Sequence, residues 1–284
     1  MANDYVHHEV IVDAQWVLEH ISDSSIVIAE VNTNLESAYQ KGHIPGAVGW
    51  GLHSDFEHPV NRDIPSKEQI ESILGSSGID NETTIIIYGD GNNRSATWIF
   101  WILKIYGHKD VRILDGGRTK WEADGHVMTK DNPNPIPKLY QAIITDFNLR
   151  ATKDYVLDHL DDPNVIILDT RTAEEYYGEL TSAPGTYQPS IERKGRIPGS
   201  LHIPWEAAAS EEGTFKIVTE LRQIYSVATL DSEKELIPYC RLGVRASYTW
   251  FVLKYLLGYN QVKIYDGSWT EWGNSIGLPI EKGS

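Results

Sequence analysis

Two stretches of the chain carry one pattern: YGDGNNRSATWIFWILKIYGHKDVRILDGGRTKWEADG at 88–125 and YCRLGVRASYTWFVLKYLLGYNQVKIYDGSWTEWGNS at 239–275. Upstream, Gly-His-Ile-Pro-Gly at 42–46 resembles Gly-Arg-Ile-Pro-Gly at 195–199. The period is about half of the 284-residue chain, far longer than the ~20–50 residues of a solenoid repeat. We therefore interpret the pattern as a duplicated domain. Aligned without a gap, the long stretches match Tyr88 with Tyr239, Arg94 with Arg245, Gly107 with Gly258, Asp115 with Asp266 and Trp121 with Trp272.

A proline-rich segment separates the two copies. Pro133, Pro135 and Pro137 stand at alternate positions, and proline fixes φ and favours an extended chain around it. We therefore predict a linker here, with an N-terminal domain over residues 1–135 and a C-terminal domain over residues 136–284.

Each copy alternates β-branched runs with a helical pattern. A strand, helix, strand order predicts a parallel sheet covered by helices, so the fold class is α/β. The run at 165–168 is apolar throughout, as in a strand buried on both faces. Further strands are predicted at 83–88, 111–114, 235–239 and 262–265, with helices at 95–106 and 246–257.

The charge and composition of the chain narrow its partners. The net charge of −15 makes nucleic acid and anionic membranes poor partners, so a small anionic substrate needs a local basic cluster. No apolar run approaches the ~18–20 residues that span a bilayer, and the N-terminus MANDYVHHEV does not resemble a signal peptide. We expect a cytoplasmic protein. A single cysteine excludes an internal disulfide, and the histidine spacing fits no zinc pattern.

The cysteine, Cys240, follows a predicted strand and precedes a predicted helix. Ligands bind beyond the carboxyl ends of parallel strands, and a helix N-terminus concentrates about half a positive charge. Arg241 and Arg245 add two positive charges, and Gly243 permits a turn that curls N–H groups around an anion. These effects favour the thiolate, the nucleophilic form, over the inert buried cysteine that is common in proteins.

The aligned loop of the first copy has no nucleophile. Gly89 stands at the position of Cys240, and Asp90 follows it. The loop Gly89-Asp90-Gly91-Asn92-Asn93-Arg94 keeps the length and adds an acid. We therefore predict that only the second copy is equipped for chemistry.

Several motifs now point to one family. They are Leu-Asp-Thr-Arg at 168–171, Glu175-Tyr176, Gly-Arg-Ile-Pro-Gly-Ser at 195–200, the loop at 240–245, Asp-Gly-Ser-Trp at 266–269 and Glu271-Trp272. In this order, the chain from about Trp16 to Trp272 resembles the tandem rhodaneses, the thiosulfate and 3-mercaptopyruvate sulfurtransferases.

The resemblance implies two tandem rhodanese-like α/β domains, an inactive N-terminal one and a catalytic C-terminal one. It implies that Cys240 takes the outer sulfur of a small anionic donor as a persulfide, and that a thiophilic acceptor such as cyanide removes it. No metal or organic cofactor is expected, and we expect a monomer. The expected substrate-binding residues are Arg241, Leu242, Gly243, Val244 and Arg245 of the loop, with Arg196 and Arg171.

The loop sequence also bears on the donor. Cys240-Arg241-Leu242-Gly243 is closer to thiosulfate-type members than to the Cys-Gly-Ser-Gly of mercaptopyruvate-type members. Paired guanidinium groups suit a sulfonate-like oxyanion. Two positions depart from the thiosulfate type: Leu242 stands where some members have lysine, and Glu175 stands near the place of an arginine. Mercaptopyruvate therefore stays open as the donor.

Two arginines outside the loop have competing interpretations. Arg171 either pairs with Glu175, which we favour, or helps hold the anion. Arg196 belongs to a basic run that is ordinarily a solvated face, and it reaches the donor if its loop folds over the site. Trp205 and Tyr239 either line the pocket or belong to the core, as aromatic residues here more often do.

Two other classes of function share these features. Cysteine phosphatases and arsenate reductases also use a thiolate in an anion-binding loop, but they have five residues between cysteine and arginine, whereas Cys240 and Arg245 enclose four. A non-catalytic sulfur carrier or interaction protein is the other alternative, because a fold does not settle a function.

Overall fold

The computed structural model describes residues 4–58, 60–143, 146–183, 193–226 and 233–283. The chain divides into two units. The N-terminal unit comprises Glu9–Phe147 and Ser210–Phe215, and the C-terminal unit comprises Met1–His8, Asn148–Ala209 and Lys216–Ser284. The principal division lies near Phe147, whereas the sequence suggested a boundary between residues 135 and 136. The C-terminal unit also contains the first eight residues of the chain.

The N-terminal unit is built on a five-stranded parallel sheet of order β1-β5-β4-β2-β3. Its strands are β1 (Ile11–Val12), β2 (Ile26–Asn32), β3 (Val48–Gly51), β4 (Thr84–Gly89) and β5 (Val111–Leu114). Its helices are α1 (Ala14–His20), α2 (Leu52–Phe56), α3 (Lys67–Ser76), α4 (Arg94–Ile105) and α5 (Gly117–Ala123). Helix α4 is buried along almost its whole length, which explains its continuous apolar sequence.

The C-terminal unit repeats this plan with a shorter sheet. Parallel strands β6 (Val165–Asp169), β7 (Leu201–His202) and β8 (Glu235–Tyr239) have the order β7-β6-β8. The helices are α6 (Lys153–Asp158), α7 (Ala173–Tyr176), α8 (Val218–Tyr225), α9 (Val244–Phe251) and α10 (Ser268–Trp272). Both units therefore confirm the predicted α/β class with parallel sheets flanked by helices.

One predicted strand does not form as a regular element. The segment at 262–265 pairs only through the isolated parallel bridges Leu236 with Val262 and Arg150 with Ile264. In the N-terminal unit, Ile87 of β4 pairs with Ile113 of β5. Pro238 stands at the position aligned with Ile87, and proline has no N–H to donate to a ladder. The prediction of a strand at 262–265 is therefore wrong as a continuous strand.

The helix predicted at 246–257 changes its winding. Helix α9 is followed by a π-helical turn at Val252–Leu256, whereas the aligned helix α4 is α-helical throughout. The carbonyls of Leu256 and Tyr255 accept the N–H groups of Val6 and His7, each at 3.0 Å. The N-terminal segment thus satisfies carbonyls at the end of this helix, where intrahelical partners run out.

In each unit, the hydroxyl of a buried tyrosine links two neighbouring strands of the sheet. In the C-terminal unit, Tyr239 of β8 donates its hydroxyl hydrogen to Oδ2 of Asp169 at 2.6 Å and accepts the N–H of Ile197 at 3.1 Å. In the N-terminal unit, Tyr88 donates to Glu30 at 2.5 Å and accepts the N–H of Ile44 at 2.9 Å. The pKa of both tyrosines is raised well above the usual value, chiefly by burial and secondly by the adjacent carboxylate.

We expect Tyr239→Phe to destabilise the C-terminal unit. The change leaves a buried carboxylate and the N–H of Ile197 without their shared partner, which costs roughly 2 kcal/mol in the free energy of unfolding. Urea denaturation followed by tryptophan fluorescence measures the effect. Tyr177→Phe is the matched control, because the side chain of Tyr177 is 41% exposed. Equal midpoints for the two variants would contradict the structural role of the Tyr239 hydroxyl.

Candidate active site

The loop that carries Cys240 lies between the end of β8 and the start of α9. Cys240 is 1% exposed, and Gly243 occupies the N-cap position of α9 with φ of +90°. A residue with a side chain is strained at that φ. The resulting turn directs the N–H of Gly243 at the sulfur of Cys240, with a nitrogen-to-sulfur distance of 3.1 Å.

The segment after Tyr265 holds the backbone on the other side of the cysteine. The N–H of Cys240 donates to Oγ of Ser268 at 3.1 Å, and the N–H of Trp269 donates to the carbonyl of Cys240 at 3.0 Å. The carbonyl of Arg241 accepts from the N–H and the hydroxyl of Thr270, at 3.1 and 2.7 Å. Neither Ser268 nor Thr270 was expected at the site from the sequence. Ser268 belongs to the Asp-Gly-Ser-Trp motif at 266–269, which is the signal that could have pointed to it.

Arg245 forms a buried ion pair with Glu175. Its two terminal nitrogens donate to the two carboxylate oxygens at 2.7 and 2.9 Å, the bidentate geometry that arginine favours. Burial acts to lower the pKa of Arg245, but the hydrogen bonds of Glu175, with the electrostatic effects of Cys240 and Glu175, outweigh burial and raise it. Glu175 is also the N3 residue of a capping box that Thr172 completes at the start of α7. The pair therefore connects α7 with the first turn of α9.

Arg171 has a different partner from the one we expected. Its guanidinium pairs with Asp169, from Nη2 to Oδ2 at 2.6 Å, and donates to the carbonyl of Gly195 at 2.7 Å. It also lies 4.7 Å from the ring centre of Trp269, within the range of a cation–π contact. The expected pairing of Arg171 with Glu175 is wrong, because Asp169 lies two residues away and Arg245 occupies Glu175. Both Arg171 and Asp169 are fully buried.

Arg196 and its neighbour Arg193 hold the C-terminal segment. Arg196 is mostly buried, pairs with Glu281 at 2.5 Å and donates to the carbonyl of Gly283 at 2.6 Å. Its guanidinium lies 4.3 Å from the ring centre of Tyr176. Arg193 donates to four backbone carbonyls, those of Trp272, Gly273, Ser275 and Leu278. The basic run before residue 197 is thus bonded to the protein rather than a solvated face.

The other loop residues divide by exposure. Arg241 is buried, whereas Leu242 and Val244 are partly exposed. Tyr239 and Trp205 belong to the core, since both are buried and the ring of Trp205 meets that of Tyr248 edge to face. No group of three or more His, Cys, Asp or Glu side chains among the described residues is arranged to hold a metal ion. The described part of the chain also contains no helix long and apolar enough to cross a bilayer.

The aligned loop of the N-terminal unit is closed by its own side chain. The N–H of Gly89 donates to Oδ1 of Asn93 at 3.0 Å, and Nδ2 of Asn93 donates to the carbonyl of Leu114 at 2.6 Å. A Cβ atom at Gly89 would lie 2.6 Å from the carbonyl oxygen of Val31, closer than backbone contacts allow. This loop therefore has no room for a cysteine in its present conformation.

Comparison with known proteins agrees with the fold. The rhodanese-like domain model matches residues 13–124 and 152–275. Over 98% of this chain and 99% of its own length, the "Sulfur carrier protein TtuD" of Thermus thermophilus is 44% identical. A protein of Saccharopolyspora erythraea named "Putative thiosulfate sulfurtransferase" is 44% identical over 96% of each chain.

Solved structures show the same similarity. An anaerobic ergothioneine biosynthesis enzyme from Chlorobium limicola, in complex with trimethyl histidine, superposes with a TM-score of 0.88 at 25% identity. The match covers 99% of this chain and 72% of that enzyme. A variant of EanB with a cysteine persulfide and ergothioneine gives the same TM-score at 26% identity, with the same coverage of both chains.

The duplicated parallel α/β domain with a cysteine at a strand-to-helix turn is the architecture that the resemblance to tandem rhodaneses led us to expect. The two matches of the domain model and the full-length relatives show that this chain belongs to the rhodanese-like domain family, with two copies in tandem.

We expect Glu175→Gln to damage both stability and the loop. The change leaves the guanidinium of Arg245 buried without a counter-charge, which costs about 3–5 kcal/mol in the free energy of unfolding. Thermal unfolding at pH 7 measures the loss. Glu174→Gln is the matched control, since Glu174 is the adjacent acid and is exposed. If both variants unfold at the same temperature, the buried pair does not hold this part of the unit.

Proposed function

We propose that this protein is a sulfurtransferase that moves the outer sulfur of thiosulfate to cyanide or another thiophilic acceptor through a persulfide on Cys240. Catalysis belongs to the C-terminal domain, and the N-terminal domain has no catalytic role of its own. The observation that carries the proposal is the N–H of Gly243 directed at the sulfur of Cys240 at 3.1 Å. A donor in that position stabilises a thiolate, and equally a terminal sulfur that carries negative charge.

The reaction proceeds by two displacements at sulfur. The thiolate of Cys240 attacks the outer sulfur of thiosulfate, so a new S–S bond forms while the S–S bond of thiosulfate breaks and sulfite leaves with the electron pair. The carbon of cyanide then attacks the outer sulfur of the persulfide. The Cys240 S–S bond breaks, thiocyanate leaves, and the thiolate is restored. Both steps conserve electrons without a metal or organic cofactor.

The donor is assigned from the two loop arginines. The terminal nitrogens of Arg245 donate to Glu175, so this residue positions the loop rather than binding the sulfonate end of the donor. Arg241 follows the nucleophile directly, and Thr270 fixes its backbone carbonyl. We therefore assign the recognition of the anionic donor to Arg241, with Leu242 and Val244 at the partly exposed side of the loop. The proposed donor site also includes Arg171 and Arg196, whose side chains have structural partners in Asp169 and Glu281.

Two alternatives keep the persulfide and change the rest. The full-length relative named as a sulfur carrier favours a protein that delivers sulfur to another protein instead of turning over with cyanide. The other alternative replaces thiosulfate with 3-mercaptopyruvate. A phosphatase is disfavoured, because the arginine that would hold a phosphate ester already holds Glu175.

Incubation with thiosulfate should add one sulfur atom to the protein, and cyanide should remove it as thiocyanate. Intact-mass spectrometry and a colorimetric thiocyanate assay measure the two steps, and Cys240→Ser should abolish both. As a matched control, Gly89→Cys added to Cys240→Ser should not restore the persulfide, since a Cβ there would lie 2.6 Å from the oxygen of Val31. A gain only with mercaptopyruvate would change the donor, and a gain without turnover would favour the carrier. No gain with either donor would contradict the persulfide.

Arg241→Ala should reduce kcat/KM for thiosulfate by roughly ten- to a hundredfold, the worth of one charge-assisted contact. The rate of alkylation of Cys240 by neutral iodoacetamide should change much less, because the N–H of Gly243 and the helix N-terminus remain. Steady-state kinetics and a timed alkylation assay give the two numbers. Arg222→Ala is the control, because Arg222 is an exposed arginine of α8. Equal losses in both assays would show that Arg241 acts on the thiol and not on the donor.

A further inference from the structure

The N-terminal unit contains a cavity at one edge of its sheet, beyond the carboxyl ends of β1 and β5. Its volume is about 300 Å³, at the lower limit of small-molecule sites. Asp13 follows β1 and Asp115 follows β5, so the two carboxylates emerge side by side where these paired strands end. The first turn of α1, one face of α5, His126 and Thr214 complete its lining.

The duplicated domain supplies an internal reference for Asp115. Its counterpart in the C-terminal unit, Asp266, forms a bidentate pair with Arg150, at 2.8 and 2.7 Å. Arg150 forms a β-bridge with Ile264. In the N-terminal unit, Ile11 of β1 pairs with Ile113, the residue that aligns with Ile264, so Ile11 corresponds to Arg150. The position that supplies a guanidinium in one unit therefore holds an isoleucine in the other. The cavity lies next to the carboxylate that lacks this intramolecular cation.

The remaining charges around the cavity leave it acidic. The carboxylate of Asp115 accepts the N–H of Phe215 at 2.9 Å, which is a neutral donor. Asp13 accepts the N–H of Trp16 as the N-cap of α1. Lys120 is the lysine of the lining, and it is engaged by Asp124 at 3.1 Å and Glu212 at 3.5 Å. Burial raises the pKa of Asp115 to about 6, as expected for a carboxylate with insufficient compensating charge.

We propose that this cavity binds a small guanidinium compound, whose cationic group pairs with Asp115 as Arg150 pairs with Asp266. A planar guanidinium presents parallel N–H donors to a carboxylate, and the apolar walls formed by Leu114 and Trp121 accommodate the rest of the ligand. Cys240 does not line this cavity, so the proposal does not depend on whether the protein transfers sulfur.

The experiment compares free arginine with citrulline, which has the same backbone charges and a neutral side-chain terminus. Isothermal titration calorimetry at low ionic strength, where charge pairs are least screened, should detect arginine binding and no comparable citrulline binding. Asp115→Asn should weaken arginine at least tenfold. Glu82→Gln is the matched control and should leave the affinity within about twofold, because Glu82 is a highly exposed acid that does not line the cavity.

A second variant tests the proposal even if Asp115→Asn fails to fold. Ile11→Arg places a guanidinium at the position that Arg150 occupies in the other unit, so it should abolish arginine binding and raise the melting temperature. The affinity of the unmodified protein should also fall as the pH drops through about 6, where Asp115 gains a proton. Asp13, Lys120, Asp124 and His126 also line the cavity, and Glu212 pairs with Lys120. The part of this pH dependence that Asp115→Asn removes therefore belongs to Asp115.

Three results would overturn the proposal. They are equal binding of arginine and citrulline, undiminished arginine binding by a folded Asp115→Asn or Ile11→Arg variant, and no arginine binding by the unmodified protein. All measurements can be made on Cys240→Ser protein, so their outcome is independent of any persulfide.

Discussion

The conformation of the loop at 240–245 depends on one buried ion pair, that of Arg245 with Glu175. Arg245 lies in the first turn of α9 and Glu175 lies in α7, so the pair fixes the end of the loop to a second helix. A buried charge pair of this kind adds little net stability over an apolar pair, but the loss of one partner is costly. The pair therefore restricts where the first turn of α9 can lie, and this restriction keeps the N–H of Gly243 at the sulfur of Cys240.

In the two copies of the domain, different side chains accept the backbone N–H at the position of Cys240. In the C-terminal unit, the N–H of Cys240 donates to Oγ of Ser268. In the N-terminal unit, the corresponding N–H of Gly89 donates to Asn93 within the loop itself. The buried acid that accepts the tyrosine hydroxyl is also paired differently, Asp169 with Arg171 in one unit and Glu30 with Arg118 in the other. Arg118 aligns with Trp269, on which Arg171 packs. The duplication thus preserved the charge balance while it exchanged the residues that provide it.

Local sequence patterns predicted the elements well and the side-chain partners poorly. The strands at 111–114 and 235–239 have the predicted bounds, because apolar β-branched runs and flanking turns are local signals. The irregular pairing at 262–265 follows from Pro238 in a neighbouring strand, and the partner of Arg171 depends on which other arginine reaches Glu175. Such choices are made between segments far apart in the chain. The position of Cys240 at a strand-to-helix turn was predictable, whereas the hydrogen bond from its N–H to Ser268 required the fold.

The charge around the sulfur is smaller than the sequence suggests. Two loop arginines imply two positive charges, but Glu175 neutralises Arg245, and Asp169 likewise neutralises Arg171. The start of α9 adds a partial charge of about half a unit. An anion in the loop is therefore stabilised chiefly by short-range N–H donors, with the 3.1 Å contact from Gly243 as the observed example. Short-range donors favour a compact, charged sulfur at one point, whereas a concentration of full charges would attract any anion. In a chain with a net charge of −15, such local donors act where the overall charge would repel an anion.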